Sequence, residues 1–352
     1  MHIEEFIENI TEGMNTELAN KLGGECPCCH KPAFSYNGKV TCLLCGTQQL
    51  SYVSAMENPE ERGGEKSVID VLFEIANEYP EIGDKFKTEL AEIKVYRNKL
   101  LKINDEAAKF YSSELLTKEA ALNYLKCRKI DRLQEDYRIG YASYDPVSDF
   151  FKNKYSEQEL FDAGLLGQNN KGEYYSYFRN RVLFPLTDSM NRIVGFSGRI
   201  FKKDQNGPKY LNTRATCIFS KKEILYNYAN IPAAVNKIYV CEGPLDVLSM
   251  TSAGFNAVCT MGTALSEYQI SLLKQKTGNI ILMYDGDEAG QNAINKALKK
   301  DFTMNALTLP EGIDPDDYFK LYTPYEFGMY EKEHLVSGGD WLSKHNETIF
   351  NF

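Results

Sequence analysis

Apolar and polar positions alternate in distinct ways along the chain. Near the amino terminus, SYNGKV places two short segments around Asn37-Gly38, the pattern of a hairpin with a tight turn. SYVSAMENPEERGGEK comes next, polar and carrying Gly63-Gly64, and reads as a loop or hinge. SVIDVLFEIANEYPEIGDKFKTELAEI then shows apolar residues at helical spacing, broken at Pro80. These helices either extend the amino-terminal module or separate it from the rest of the chain. Later, two short apolar runs, Lys237 to Cys241 and Asn279 to Tyr284, each precede a helical pattern. Strand followed by helix, repeated, predicts an α/β unit with a mainly parallel sheet.

Acids sit where those strands end. CEGPLDV supplies Glu242 and Asp246, DGDEAG supplies Asp285 and Asp287, and LPEGIDPDDYF adds Asp314 and Asp316. In an open α/β sheet, ligands bind at the carboxyl ends of neighbouring strands. Carboxylates converging there repel one another unless protons or a hard cation intervene. Magnesium suits such a site, because it takes oxygen ligands and keeps positions open for water and phosphate. Any one of these acids could be an ordinary helix cap; three motifs in this order point to metal-dependent phosphoryl chemistry.

Composition adds two things. The chain has 352 residues, enough for two or three domains, and a net charge of −9. That charge argues against nucleic-acid binding only if it is spread evenly, and it is not. Tyr174 to Lys222 holds ten Lys and Arg against Asp188 and Asp204, a local +8. Phosphate responds to charge within about 10 Å, so this segment is a candidate basic face. Arg179, Arg181, Arg199 and Lys209 are its candidates for gripping phosphate. Asn180 and Asn212 fit a ribose contact or, more simply, a turn. Aromatics between the charges are read mainly as core.

Nine cysteines are present, five of them between Cys26 and Cys45. Cys26-x2-Cys29 and Cys42-x2-Cys45 are two knuckles able to hold one tetrahedral zinc, with Cys28 and His30 as neighbouring alternatives to Cys29. Cys127, Cys217, Cys241 and Cys259 are expected to be small buried residues. The amino terminus MHIEEFIENI is acidic, and no apolar run approaches the length of a membrane span. A cytoplasmic protein with no membrane partner is expected.

The acidic motifs resemble those of the TOPRIM domain, shared by DNA primases, topoisomerases and some nucleases. YFRNRVLFPLTDSMNRIVGFSGRIF and NGPKYLNTRATCIFSKKEILY resemble segments that belong to DnaG-like bacterial and bacteriophage DNA primases in particular. INDEAAKFYSSELLTKEAALNYLKCRKIDRLQEDYRIGYA resembles the helices that open their polymerase domain. The resemblance implies a multidomain α/β protein. A zinc-binding ribbon occupies 1–56, a helical spacer 57–98, an α+β basic subdomain 99–232, a TOPRIM subdomain 233–322 and a tail 323–352.

The implied activity is synthesis of short RNA primers on single-stranded DNA from ribonucleoside triphosphates. Glu242, Asp285 and Asp287 would be catalytic. Glu242, Asp246, Asp285, Asp287, Asp314 and Asp316 would hold magnesium, with manganese as the alternative. Cys26, Cys29, Cys42 and Cys45 would hold structural zinc. Arg179, Arg181, Arg199, Lys209 and Asn212 would bind nucleotide or DNA. A separate replicative helicase is the implied partner, and the short region after Phe319 suggests a stand-alone primase of phage or mobile-element origin, working in the host cytoplasm. The tail is read as an element closing the TOPRIM sheet, with a helicase-contacting peptide as the alternative. A TOPRIM nuclease or topoisomerase-like enzyme, and a non-catalytic zinc-bearing accessory for single-stranded DNA, are the rival readings.

Overall fold

The computed structural model describes residues 3–22, 34–36, 39–42, 47–49, 68–151, 153–201, 207–262, 264–285 and 287–345. They fall into two units, Met1–Leu100 with Thr216–Ser220, and Leu101–Ala215 with Lys221–Phe352.

In the first unit, the helix Ile3–Leu22 repeats Ile7, Ile10, Met14 and Leu18 along one face. These meet Leu72, Ile75, Ile82, Leu90 and Ile93 in a single core, so the helices within 57–98 pack with the amino-terminal helix. The break at Pro80 is present. The helix Val68–Glu78 stops, and Pro80 opens the helix Pro80–Lys85 at a position where its missing N–H leaves no bond unmade. Strands β1 (Phe34–Tyr36), β2 (Lys39–Cys42) and β3 (Thr47–Gln49) form an antiparallel sheet, with Tyr36 opposite Lys39 as a hairpin at Asn37-Gly38 requires. The turn itself, Cys26, Cys28, Cys29, His30 and Cys45 lie outside the described residues. Cys42 ends β2, but its side chain also lies outside them.

The second unit contains two sheets that build the site. Strands β4 (Gly140–Ala142), β7 (Arg181–Thr187), β8 (Ile193–Arg199) and β9 (Tyr210–Asn212) form an antiparallel sheet in that order, beside a separate hairpin of β5 (Leu166–Gln168) and β6 (Tyr174–Ser176). The GFSGR glycines have a packing reason. A Cβ at Gly198 would come within 2.9 Å of Arg181 Cδ, so this glycine lets the arginine cross the sheet. Strands β10 (Ile238–Cys241), β11 (Ala257–Cys259), β12 (Ile280–Leu282) and β13 (Asn305–Ala306) run parallel in the order β11-β10-β12-β13. Strand β14 (Val336–Ser337) closes the β13 edge antiparallel. The chain leaves β10 on one side toward β11 and returns on the other as β12, which puts a topological switch point at the carboxyl ends of β10 and β12.

Val240, Ile280, Leu282, Ile294, Leu298 and Trp341 share the core of this second sheet. The carboxyl-terminal region thus contributes a strand and the helix Gly338–Lys344 to the sheet. Trp341 is 6% exposed, and its indole N–H donates to Asn295 Oδ1 at 2.6 Å. Trp341→Ala should lower stability by about 3 kcal/mol through cavity formation, read as a lower urea midpoint at unchanged slope.

The cysteine expectation is corrected at one end. Cys241 and Cys259 are buried, Cys217 is half-buried, and Cys127 is exposed because it closes the helix Glu119–Cys127 on its solvent side. Among the described residues, no helix is long and apolar enough to cross a membrane.

Candidate active site

Four acids from three separate motifs reach one cleft of about 210 Å³. Glu242 leaves the end of β10, and Asp246 lies in the first turn of the next helix, Pro244–Ser252, accepting from Gly243 N at 2.9 Å. Asp285 lies just beyond β12, and its backbone N–H donates to Glu242 Oε1 at 3.1 Å, binding one strand tip to the next. Asp314 caps the helix Pro315–Leu321, accepting from Asp317 N at 2.7 Å. Glu242, Asp246, Asp285 and Asp314 all line the cleft. Asp287 caps the helix Glu288–Lys300 through Gly290 N at 2.8 Å; it is exposed and does not line the cleft, but its charge acts on Asp285. The second glycine of DGDEAG, Gly290, is sterically required, since a Cβ there would lie 2.1 Å from the Asp285 carbonyl oxygen.

Crowding sets the electrostatics. Burial, followed by Glu242, Asp314 and Asp287, pushes the Asp285 carboxyl up from 3.8 to about 6, with Lys209 acting in the opposite sense. Burial, followed by Asp314 and Asp285, raises Asp246 to about 8. Glu242 is also raised, first by burial, while the Asp285 amide and Lys209 hold it down. Carboxyls sharing such a pocket keep protons that a divalent cation would displace.

The opposite wall comes from the antiparallel sheet. Ser197, Arg199, Lys209, Tyr210 and Asn212 face the acids across the cleft. Arg199 Nη1 donates to Tyr210 Oη at 2.8 Å and its Nε to Tyr124 Oη at 2.7 Å. Asn212 Nδ2 donates to the Met261 carbonyl at 3.1 Å while its Oδ1 accepts from Ser197 Oγ at 2.6 Å, so it bridges the walls instead of making a turn. Met261 and Gly262, both with positive φ, complete the floor beyond β11.

Three of the five basic or amide candidates therefore reach the cleft, and two do not. Arg181 is 5% exposed and its Nη1 donates to the carbonyls of Gly198 (3.1 Å) and Pro208 (2.9 Å), bracing β8 against the segment entering β9. Arg179 donates to Ser176 O and lies against the rings of Tyr144 and Tyr175. Asn180 takes φ +53°, the turn role. Phe178, Phe184 and Phe196 are core.

Asp316 is placed differently from Asp314. It is 2% exposed and faces a neighbouring recess, where Ser249 Oγ donates to its Oδ1 at 2.8 Å and Lys320 Nζ and Arg128 Nη1 donate to its Oδ2. The carboxylates of Asp314, Asp316 and Asp317 lie within 4.8 Å of one another, a spacing a metal could use, yet only Asp314 of the three lines the cleft. Sequence reasoning passed over Tyr124, Ser197, Met261 and Gly262. Of these only Met261-Gly262 had a signal, being the tip of a third short apolar run.

Comparison with known proteins matches residues 110–232 to the family model described as the DNA primase catalytic core, N-terminal domain, and residues 239–319 to the Toprim-like model. The DNA primase of Listeria monocytogenes is 35% identical over 255 residues, covering 68% of this chain and 41% of that protein. A solved structure of the DnaG primase catalytic domain bound to ssDNA superposes with a TM-score of 0.65 at 31% identity, over 72% of this chain and 86% of that one. The Aquifex aeolicus primase, with its zinc-binding and RNA polymerase domains, gives a TM-score of 0.60 at 27% identity, over 84% of this chain and 73% of that one. The chain spans less than half the length of the Listeria relative. The mixed α/β fold, with its Toprim-like parallel sheet, is that of these catalytic cores.

Proposed function

The chain belongs to the DnaG-type DNA primase family, and on that premise we propose that it polymerises ribonucleotides into short RNA primers on a single-stranded DNA template. One observation carries the reading: Glu242, Asp246, Asp285 and Asp314 face Arg199, Lys209 and Asn212 across a single cleft. Acids alone would serve a nuclease equally well. Acids opposed by cationic and amide groups suit a triphosphate that must be held while its α-phosphoryl group is attacked.

Glu242, Asp285, Asp287 and Asp314 fit a hard divalent cation, because they offer only oxygens and three of them sit at strand or helix tips with the cleft before them. Bound magnesium, or manganese, would supply charge neutralisation on the α-phosphoryl and departing pyrophosphate oxygens. The chain's own residues do the rest. Lys209 and Arg199 hold the triphosphate, and Asn212 keeps the two walls in register. The primer 3′-hydroxyl oxygen bonds to the α-phosphorus as the bond to pyrophosphate breaks, and the hydroxyl proton passes to solvent. Arg179, half-buried against the rings of Tyr144 and Tyr175, is suited to template backbone and bases outside the cleft. A separate helicase would deliver the template, and the protein would act in the cytoplasm.

Incorporation against cleavage tests this reading. Given end-labelled single-stranded DNA, ribonucleotides and magnesium together, the protein should lengthen RNA and leave the DNA whole. Cut DNA without RNA would favour the nuclease.

Cys26, Cys29, Cys42 and Cys45 are proposed to bind structural zinc around the β1–β3 sheet, since so small a sheet has little core of its own. About one zinc per chain is expected by elemental analysis. Cys26→Ser with Cys45→Ser should lose it and cut priming on long templates by about tenfold or more, while nucleotide binding at the acidic cleft persists.

A further inference from the structure

A continuous chain of contacts leaves Asp316 and ends in the cleft, although Asp316 itself does not line it. Arg128 Nη1 donates to Asp316 Oδ2. The Arg128 guanidinium lies over the Tyr124 ring, 4.8 Å from its centre. Tyr124 Oη accepts from Arg199 Nε at 2.7 Å. Arg199 stacks in turn on Tyr210 and donates to its hydroxyl. Tyr210 closes the path over Gly243, where a Cβ would lie 3.3 Å from the tyrosine oxygen. Asp316 and Gly243 belong to the parallel-sheet half, while Arg128, Tyr124, Arg199 and Tyr210 belong to the helical and antiparallel half. The path therefore crosses between the halves at Arg128–Asp316 and again where Tyr210 meets Gly243, and Arg199, which faces the acids, lies between the two crossings.

We infer that Asp316 is a positioning residue, which fixes the direction of Arg199 through Arg128 and Tyr124, and is not a ligand of the cation. The inference rests on the proposed function only for what Arg199 grips. Electrostatics decides against ligation. Lys320 Nζ is 2.7 Å from Asp316 Oδ2, and Arg128 shares the same oxygen. A divalent ion on that oxygen would stand beside both cations and be repelled by each. The remaining oxygen is held by Ser249 at 2.8 Å. Removing the Asp316 charge frees Arg128, and a loosened Arg128 no longer holds the Tyr124 ring that orders Arg199. Arginine is suited to this relay because its plane can stack while its edge donates.

Three variants of the full chain test it: Asp316→Asn, Arg128→Lys and Tyr124→Phe. Two binding constants are read, Mn2+ by electron paramagnetic resonance and a fluorescent ribonucleoside triphosphate by anisotropy. All three variants should keep the Mn2+ constant within about twofold of wild type, whereas Asp285→Asn should weaken it at least tenfold. Ribonucleotide binding should weaken about tenfold in Asp316→Asn and Tyr124→Phe, and the double variant should be no worse than the weaker single, as one pathway requires. Mn2+ binding lost in Asp316→Asn as deeply as in Asp285→Asn would overturn the inference. So would unchanged nucleotide binding in Tyr124→Phe, which loses only a hydroxyl and stands in if Asp316→Asn fails to fold. Wild type that binds ribonucleotide yet makes no RNA would remove the primase reading and leave this one standing.

Discussion

Asp285→Asn should lower RNA synthesis by about 10³-fold, some 4 kcal/mol of barrier, with the fold intact. The side chain faces the cleft, while the structural work of this position is done by its backbone. The amide holds Glu242, and the carbonyl packs against Gly290. Asn keeps both and removes one negative charge from a group of four. Its second effect has the opposite sign. Burial first, and then Glu242, Asp314 and Asp287, push the Asp285 carboxyl up toward about 6, so removing its charge should raise the melting temperature in cation-free buffer at pH 8. Loss of synthesis together with a higher melting temperature identifies a functional acid; a lower one would mark Asp285 as structural. Circular dichroism melts beside the synthesis assay supply both readings.

The second large effect is on pH. Cation binding requires the cleft acids without their protons, so affinity should climb with pH and protons should be released on binding. With Asp285 near 6, binding at pH 5 should be at least about tenfold weaker than at pH 8 from that group alone, and Asp246, near 8, steepens the dependence. Stability of the cation-free protein runs the other way. Both acids have folded-state pKa values above their ordinary 3.8. Their contribution is therefore present below pH 3.8 and lost as pH rises through about 6 and about 8. Magnesium should accordingly raise the melting temperature more at pH 8 than at pH 5. Titration calorimetry in buffers of different ionisation enthalpy counts the protons; a pH-independent constant would place the cation elsewhere.

The acids were legible in the sequence because their placement is local. A short apolar run, an acid and a helix start are adjacent in the chain, and the parallel sheet brings successive tips together. The same locality made the Pro80 break and the antiparallel pairing of β1 with β2 readable. What was not legible depended on packing between distant segments. Arg181 and Arg199 look alike in sequence, the first opening β7 and the second closing β8, side by side at the open end of the hairpin. Only the carbonyls of Gly198 and Pro208, waiting for Arg181 across the sheet, send one inward as a brace and leave the other to the cleft. Asp314 and Asp316 are separated by one proline, yet the first turn of their helix rotates the second toward Arg128 and Lys320. Trp341 was readable as part of a closing element, although its partner Asn295 was not.

De novo initiation is the most direct test of the central claim. The chain would be incubated with single-stranded DNA, magnesium and ribonucleoside triphosphates carrying label on the γ-phosphate, beside its Asp285→Asn variant. A primase leaves the first nucleotide's triphosphate intact, so the account predicts short, alkali-labile RNA that keeps the γ-label at its 5′ end and is missing from the variant. RNA that forms only by extending a supplied primer, or labelled product that survives Asp285→Asn, would contradict it.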